Sequence, residues 1–571
     1  MLRKVSFFFL VMVIATRSVA FGQQQTQFLQ HLWEVDPPLG DIWATERGTG
    51  TIRFEVERLK SQFAWDRLEV AQQLCIEHAN PNFRQRDRAI KLLLERLQGG
   101  EENLQVKRAM FSAALCLGDA KHAEPLWSLA KSDVAISASV ERKLVQWKSP
   151  AAIQEWRQRL VDSRSKSTDL ATALDGIAIV GDASDGTSLQ ALIVASHIST
   201  ANNYLAANAL GALVTEGLNE FAEQVLDSDL AQKYLIAAHV LKRHGGAKTE
   251  SQLRKILDEG TSGSQLVAYR AIANNMPKIA RELAKQMSTQ TDFELRLLAL
   301  KVLQENSDDE GLRIQGSLLN DPHPGVRSLA TYNLIEKGTQ GSRSVVDELV
   351  LSNLKAGAWA GMEKAIEIVV KLQDVRYCKA FVRLLDHDRP EVSMHAAWAL
   401  MELASESQTL ADMLSHAEML TAQFQSKDYK TVEETATEQI RLSYLIEAFG
   451  KNRYEAANEM LLKFIPKRGH QFGFVCRASA IWALGKLNTE RDNPTLRSSL
   501  YERMQDFEPS SPEDYLVRFS CNLALGEMAH PESKDIIEQY GEQMPSQIAH
   551  AASWALSQIE KAALKKPLTS K

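Results

Sequence analysis

From about residue 52 to residue 562 the apolar positions recur with the period of a helix, and short polar turns interrupt them every 12–18 residues. Take the stretches beginning near Val326, Val392, Cys476, Val517 and Ile548 as position 0. At +4 they carry Ala330, Ala396, Ala480, Cys521 and Ala552, and at +8 Leu334, Leu400, Leu484, Leu525 and Leu556. The stretch at Leu295 fits too, with Ala299 and Leu303. Small at +4 and leucine at +8 describe one apolar helix face, and the small residue lets a neighbouring helix come close. Arg296, Arg327, Arg477 and Arg518 stand at +1. Breakers such as Asp321-Pro-His-Pro-Gly325, Asp388-Arg-Pro390 and Ser510-Ser-Pro512 precede several of these helices, where proline costs no helical hydrogen bond.

Shorter predicted helices lie between them, at 374–385, 454–465 and 532–540. Equivalent positions are separated by 31, 66, 84, 41 and 31 residues, and the two long intervals each hold two units. Two helices per unit of 29–42 residues is the pattern of a solenoid. The segments Pro324-Gly-Val-Arg-Ser-Leu-Ala-Thr-Tyr-Asn-Leu334 and Cys476-Arg-Ala-Ser-Ala-Ile-Trp-Ala-Leu-Gly-Lys-Leu487 resemble HEAT repeats. They are similar to the short bacterial kind also found in phycobilisome (PBS) lyases, through Val/Arg at 0/+1, Ala at +4 and Ala-Leu-Gly at +7 to +9. The resemblance is good from 291 to 562. It blurs over 52–290, where Ala209-Leu210-Gly211 and Leu115-Cys-Leu-Gly-Asp119 recur without the full pattern. It implies an all-α, right-handed α-solenoid (superhelix) of antiparallel helix pairs, HEAT/armadillo-like, and protein–protein binding, but no specific activity. The fixed 34-residue Trp-Leu-Gly-Tyr…Pro pattern of tetratricopeptide arrays is absent.

Composition adds limits. The 571 residues exceed a single compact core, and few Gly (29) and Pro (16) disfavour a loop-rich β protein. Met1-Leu-Arg-Lys4, the 11-residue apolar run Val5–Ala15 and Ser18-Val19-Ala20 have the layout of a secretory signal peptide cleaved after Ala20. That run is about half the ~20 residues a spanning helix needs. The expected location is therefore periplasmic or secreted, without stable membrane insertion once the leader is removed. Residues 21–51 are expected to be a linker and 563–571 a disordered tail. Loss of residues 1–20 removes Arg3, Lys4 and Arg17 and takes the net charge from −6 to −9, which disfavours nucleic acid.

Candidate chemistry is sparse. Cys75, Cys116, Cys378, Cys476 and Cys521 form no C-x-x-C and mostly fall at apolar helix positions, as small buried hydrophobes do. No G-x-S-x-G, H-E-x-x-H, Walker A or G-x-G-x-x-G motif occurs, so no catalytic, cofactor or metal residue is assigned. Asp182-Ala-Ser-Asp185-Gly186 resembles part of a calcium loop, but Gly181 and Ala183 stand where ligands are required, and it reads as a helix connection. His395 and His550 have no His or Cys one turn away and read as surface or satisfied residues.

One feature rises above this. At +6 the repeats carry Tyr332, Trp398, Trp482, Leu523 and Trp554, and Trp-Ala-Leu recurs three times. At ~100° per residue, +6 falls near 240°, far from the 0/+4/+8 stripe. These aromatics either fill gaps between successive units or line an apolar lane on the concave side for a protein, peptide or glycan. Met394, Met401, Ile335 and Phe519 share that side. Tyr332, Met394, Trp398, Met401, Trp482, Phe519 and Trp554 are therefore the candidate partner-binding residues. The leading expectation is a non-enzymatic extracytoplasmic scaffold or adaptor that binds a protein partner and needs no cofactor. The alternatives are an enzyme or cofactor-handling protein of the PBS-lyase-like type, which needs a deep pocket with convergent polar groups, and a glycan-binding module.

Overall fold

The computed structural model describes residues 56–565, apart from 78–82, 102, 306–307, 427–431, 468–471 and 542–545. The expected leader (1–20), most of the linker and most of the tail lie outside these. Two compact units, divided between Ile314 and Gln315, are described in turn.

The N-terminal unit contains α1 (Ala64–Glu77), α2 (Arg86–Gln98), α3 (Leu104–Leu117), α4 (Ala123–Ala130), α5 (Val134–Gln146), α6 (Ile153–Val161), α7 (Ser167–Val180) and α8 (Gly186–Val194). It continues with α9 (Thr200–Leu213), α10 (Asn219–Asp227), α11 (Lys233–Val240), α12 (Ala247–Glu259), α13 (Ser262–Asn275), α14 (Pro277–Met287) and α15 (Phe293–Glu305). The division falls within α16 (Asp309–Ser317). The C-terminal unit contains α17 (Pro324–Thr339), α18 (Arg343–Lys355), α19 (Trp359–Lys371), α20 (Cys378–Leu384), α21 (Pro390–Leu403), α22 (Ser407–Ser426) and α23 (Val432–Lys451). It ends with α24 (Asn458–Leu462), α25 (Phe474–Leu487), α26 (Pro494–Gln505), α27 (Tyr515–Met528), α28 (Lys534–Gly541) and α29 (Ser546–Lys565). Among the described residues no strand occurs.

In each unit the odd-numbered helices stack on one another, α1 on α3 through α13 on α15, and α17 on α19 through α27 on α29. Each even-numbered helix other than α16 packs mainly on the odd-numbered helix that follows it. This is a helix-pair solenoid of the HEAT/armadillo type, all-α. The pairs are as regular before residue 290 as after it.

Local chemistry explains where several of the helices start. Asn103 Oδ1 accepts from the amides of Gln105 (3.0 Å) and Val106 (3.1 Å) to cap α3. Pro277, Pro324, Pro390 and Pro494 open α14, α17, α21 and α26, where a missing N–H is harmless. Several even-numbered helices are entered through a single 3-10 turn with a side-chain cap: Asp119 before α4, Ser149 before α6, Asp182 before α8 and Asp374 before α20. The Asp182–Gly186 segment is thus a helix connection. Arg157 ties it down through Asp182 Oδ2 (2.7 Å) and Asp185 Oδ1 (2.8 Å).

The 0/+4/+8 stripe is the core. Val326, Ala330, Leu334, Val392, Ala396, Leu400, Cys476, Ala480, Leu484, Val517, Cys521 and Leu525 are all buried. Each large apolar side chain of this kind contributes about 1.5–3 kcal/mol when removed from water. Leu556 is half-buried on α29, the last helix of the stack.

Candidate partner-binding surface

The odd-numbered rows approach each other through small residues. In Ala448-Phe449-Gly450, Ala483-Leu484-Gly485 and Ala524-Leu525-Gly526 the glycine faces the next odd-numbered helix. A Cβ on Gly450 would lie 2.5 Å from the Trp482 ring, and one on Gly526 would lie 2.6 Å from the Trp554 ring. One on Gly485 would meet Ala524 Cα at 2.6 Å. The Trp at +6 of one repeat therefore fills the notch left by glycine at the end of the previous repeat.

This divides the seven sequence-predicted residues. Trp482 (3% exposed), Phe519 and Met401 are buried between helices and present no surface. Trp398, Met394 and Trp554 are half-buried, and Tyr332 is 59% exposed. At 240° the +6 residues lie off the face that meets the even-numbered helix. The preceding odd-numbered helix covers that direction where a glycine admits the ring, as Gly450 does for Trp482 and Gly526 for Trp554. Trp398 lies edge-on to His395 (ring centroids 6.2 Å apart), whose Nε2 is 3.6 Å from Glu363 Oε1. Tyr332, Met394, Trp398 and Trp554 remain as surface along the odd-numbered row of the C-terminal unit.

The arginines at +1 are structural. Arg296 Nη1 donates to the carbonyls of Gln290 (2.7 Å) and Thr291 (2.8 Å), and Arg327 Nη1 to that of Asp321 (2.7 Å). Arg518 Nη2 donates to the Asp506 carbonyl at 2.5 Å. Arg477 reaches the Phe464 and Ile465 carbonyls and forms a buried two-pronged pair with Glu513, both contacts 2.6 Å. Burial alone would raise the Glu513 pKa, but Arg477, and more weakly Arg503, hold the carboxyl below its ordinary value. Each arginine satisfies carbonyls left over where a helix ends beside it.

Pocket chemistry is meagre. A cavity of about 610 Å³ opens between α1 and α3, lined by Leu68, Gln72, Cys75, Gln105, Arg108, Ala109 and Ser112, with no acid among them. Among the described residues no group of three or more His, Cys, Asp or Glu is placed to hold a metal. None of the five cysteines is in a disulfide; Cys378, Cys476 and Cys521 are buried, and Cys75 and Cys116 half-buried. Among the described residues no helix is long and apolar enough to cross a membrane.

A second surface was missed in the sequence. Asn208, His239, Arg270 and Lys301 follow one another at intervals of 31 residues on α9, α11, α13 and α15. Tyr204, Leu235, Leu266 and Leu297, also 31 apart, lie one turn before them and are half-buried. Gly211 brings α9 and α11 together, since a Cβ there would meet the His239 carbonyl oxygen at 1.9 Å. The signal was a fixed interval rather than a conserved residue type, and it runs through the stretch where the repeat motif blurs.

Solved structures share the arrangement of helices. Importin beta aligns over 89% of this chain and 72% of its own, with 12% identity and a TM-score of 0.48. Kap95p, solved with RanGDP in a study of nuclear import complex assembly, aligns over 89% and 72%, with 13% identity and a TM-score of 0.47. Kap121p bound to Pho4p aligns over 89% of this chain and 61% of its own, with 13% identity and a TM-score of 0.36. No family model matches the chain, and no curated protein matches it in sequence. The likeness extends to the helix-pair fold and not to the bacterial lyase-type subdivision. The expected periplasmic or secreted location finds no counterpart among these neighbours in fold, one of which is described in nuclear import, and it is not carried further.

Proposed function

We propose that this protein is a non-enzymatic scaffold that binds protein partners along its odd-numbered helices. The observation that carries this reading is the aromatic and methionine surface left on the C-terminal unit after packing is complete. Tyr332, at 59% exposure, has the large ring and polar tip favoured at interface centres, with Trp398, Met394 and Trp554 half-buried on helices of the same row. The regularity of the stack supports it as well, because a row of near-identical helices offers extended surface without a pocket. Glycan binding draws no support beyond the aromatic content itself.

The test is quantitative affinity capture from the source cell with the full chain and with a Tyr332→Ser/Trp398→Ala variant. Partners enriched by the wild type and lost at least roughly tenfold from the variant are expected, since hot-spot truncations cost about 2 kcal/mol or more. Identical partner sets for a variant with unchanged circular dichroism would overturn the assignment of this surface.

A further inference from the structure

The row on α9, α11, α13 and α15 gathers bases without acid partners. Several bases elsewhere in the N-terminal unit have an acid nearby, as Lys248 has Glu220 and Glu223, both 3.1 Å away, and Arg281 has Asp308. Lys242, Arg270 and Lys301 have no carboxylate within ion-pair distance among the described residues. Lys242 Nζ instead donates to the Asn208 carbonyl (2.6 Å) and Oδ1 (2.7 Å). Burial, with Arg243 adding repulsion, pushes its pKa down to about 8. His239 is 7% exposed, and neither ring nitrogen has a hydrogen-bond partner. Its ring stands edge-on to Tyr204, with centroids 4.5 Å apart. Burial first, then Lys242 and Arg270, lower its pKa to about 4, so it is neutral at pH 7 and keeps one N–H to donate. Both nitrogens are buried, so the ring packs beneath the surface on which Arg270 and Lys301 are exposed.

We propose that this row binds an acidic, extended segment of a partner protein, with carboxylates on Lys242, Arg270 and Lys301, and apolar side chains on Tyr204, Leu235, Leu266 and Leu297. The inference rests on the reading above that the odd-numbered row is the partner-binding face, and it supplies the partner's chemistry. The spacing is the second argument. Packed helices lie ~8–10 Å apart. A polyproline-type segment rises ~3.1 Å per residue and turns every three residues, so every third side chain returns to the same side after ~9 Å. A glutamate or aspartate at every third position would meet one basic step per helix. The apolar row of Tyr204, Leu235, Leu266 and Leu297 favours a peptide over nucleic acid.

The test uses the full chain and fluorescence anisotropy. The probe is a labelled peptide with glutamate at every third position, leucine and proline between. Its comparators are the same peptide with glutamine for glutamate, and oligouridylate of equal charge. The glutamate peptide is expected to bind at least roughly tenfold tighter than either comparator, and to weaken as salt rises. Arg270→Glu/Lys301→Glu is expected to reduce that binding at least roughly tenfold. Lys278→Glu, an exposed charge reversal on the even-numbered α14, is expected to leave it within about twofold. Equal binding of the glutamine peptide, tighter binding of the oligonucleotide, or no effect of the double reversal would overturn the proposal. Loss of peptide binding alongside Tyr332-dependent capture of partners would overturn this inference and leave the proposed function standing. Failure of that capture with peptide binding intact would do the reverse.

Discussion

Replacing Gly485 with alanine perturbs the helix stack at its tightest described contact of backbone on backbone in the C-terminal unit. The new Cβ would lie 2.6 Å from Ala524 Cα and 2.9 Å from Ala524 Cβ. Ordinary carbon contacts begin near ~3.5 Å, so α25 and α27 must separate by nearly ~1 Å or tilt. Overpacking of this kind costs ~1–3 kcal/mol. Against it stands the gain of up to ~1 kcal/mol for alanine over glycine within a helix. The net expectation is a loss of about 1–2 kcal/mol. Gly263 on α13 is the control: its Cβ would meet nothing within 4 Å, so Gly263→Ala retains the propensity gain. A stacked array unfolds piecewise rather than in one step, so a single melting temperature is a poor readout. Native-state hydrogen exchange localises the effect. Amides of α25 and α27 should exchange roughly 5–30 times faster in Gly485→Ala, while those of α9 to α13 stay unchanged. Exchange as slow as, or slower than, wild type in α25 and α27 would refute the notch-and-filler description of the row.

Other expectations follow from the same geometry. Arg477→Met leaves the Glu513 carboxylate buried without its two-pronged partner, and a loss of ~3–5 kcal/mol is expected by hydrogen exchange in α25 to α27, largely restored by adding Glu513→Leu. Asp374 is lowered to about 2, chiefly by its bond from Arg376 and also by Arg343. Its folded pKa lies below its unfolded one, so its contribution is present above about pH 4 and is lost as pH falls toward 2. Asp374→Asn should therefore flatten the acid side of the stability profile of α18 to α20, measured by pH-dependent urea unfolding. Alkylation with mass-spectrometric readout should modify Cys75 readily and Cys116 more slowly in the native protein. The burial of Cys116 and the neighbouring Cys75 push its thiol up to about 11. Cys378, Cys476 and Cys521, buried in the folded chain, should react only on unfolding.

The repeat was legible because its cause is local. The 0/+4/+8 stripe needs only helix geometry to place Ala330, Leu334, Ala480 and Leu484 in the core, as the structure does. Proline breakers marked helix starts for the same reason. The fate of the +6 aromatics was not legible, since it depends on the adjoining repeat: Trp482 disappears against Gly450, while Tyr332 stays open. Pairing each aromatic with the glycine of the preceding Ala-Leu-Gly or Ala-Phe-Gly would have marked Trp482 and Trp554 as packing on the preceding helix and left Tyr332 unmatched. The arginines at +1 were visible as a column, but their acceptors are carbonyls at helix ends and loops, which no side-chain pattern records. The His239 cluster was hidden because its members differ in type and share only the 31-residue interval.

The most direct test of a partner-binding odd-numbered row is site-specific photo-crosslinking. A benzophenone amino acid is placed at Tyr332 on α17, and in a matched chain at Leu351 on the even-numbered α18, which is also exposed. Recovery of the same partner from position 332 in repeated experiments, with none from 351, is the expected result. Equal labelling from both positions, or none from 332 when partner capture is otherwise intact, would contradict the assignment of the odd-numbered row.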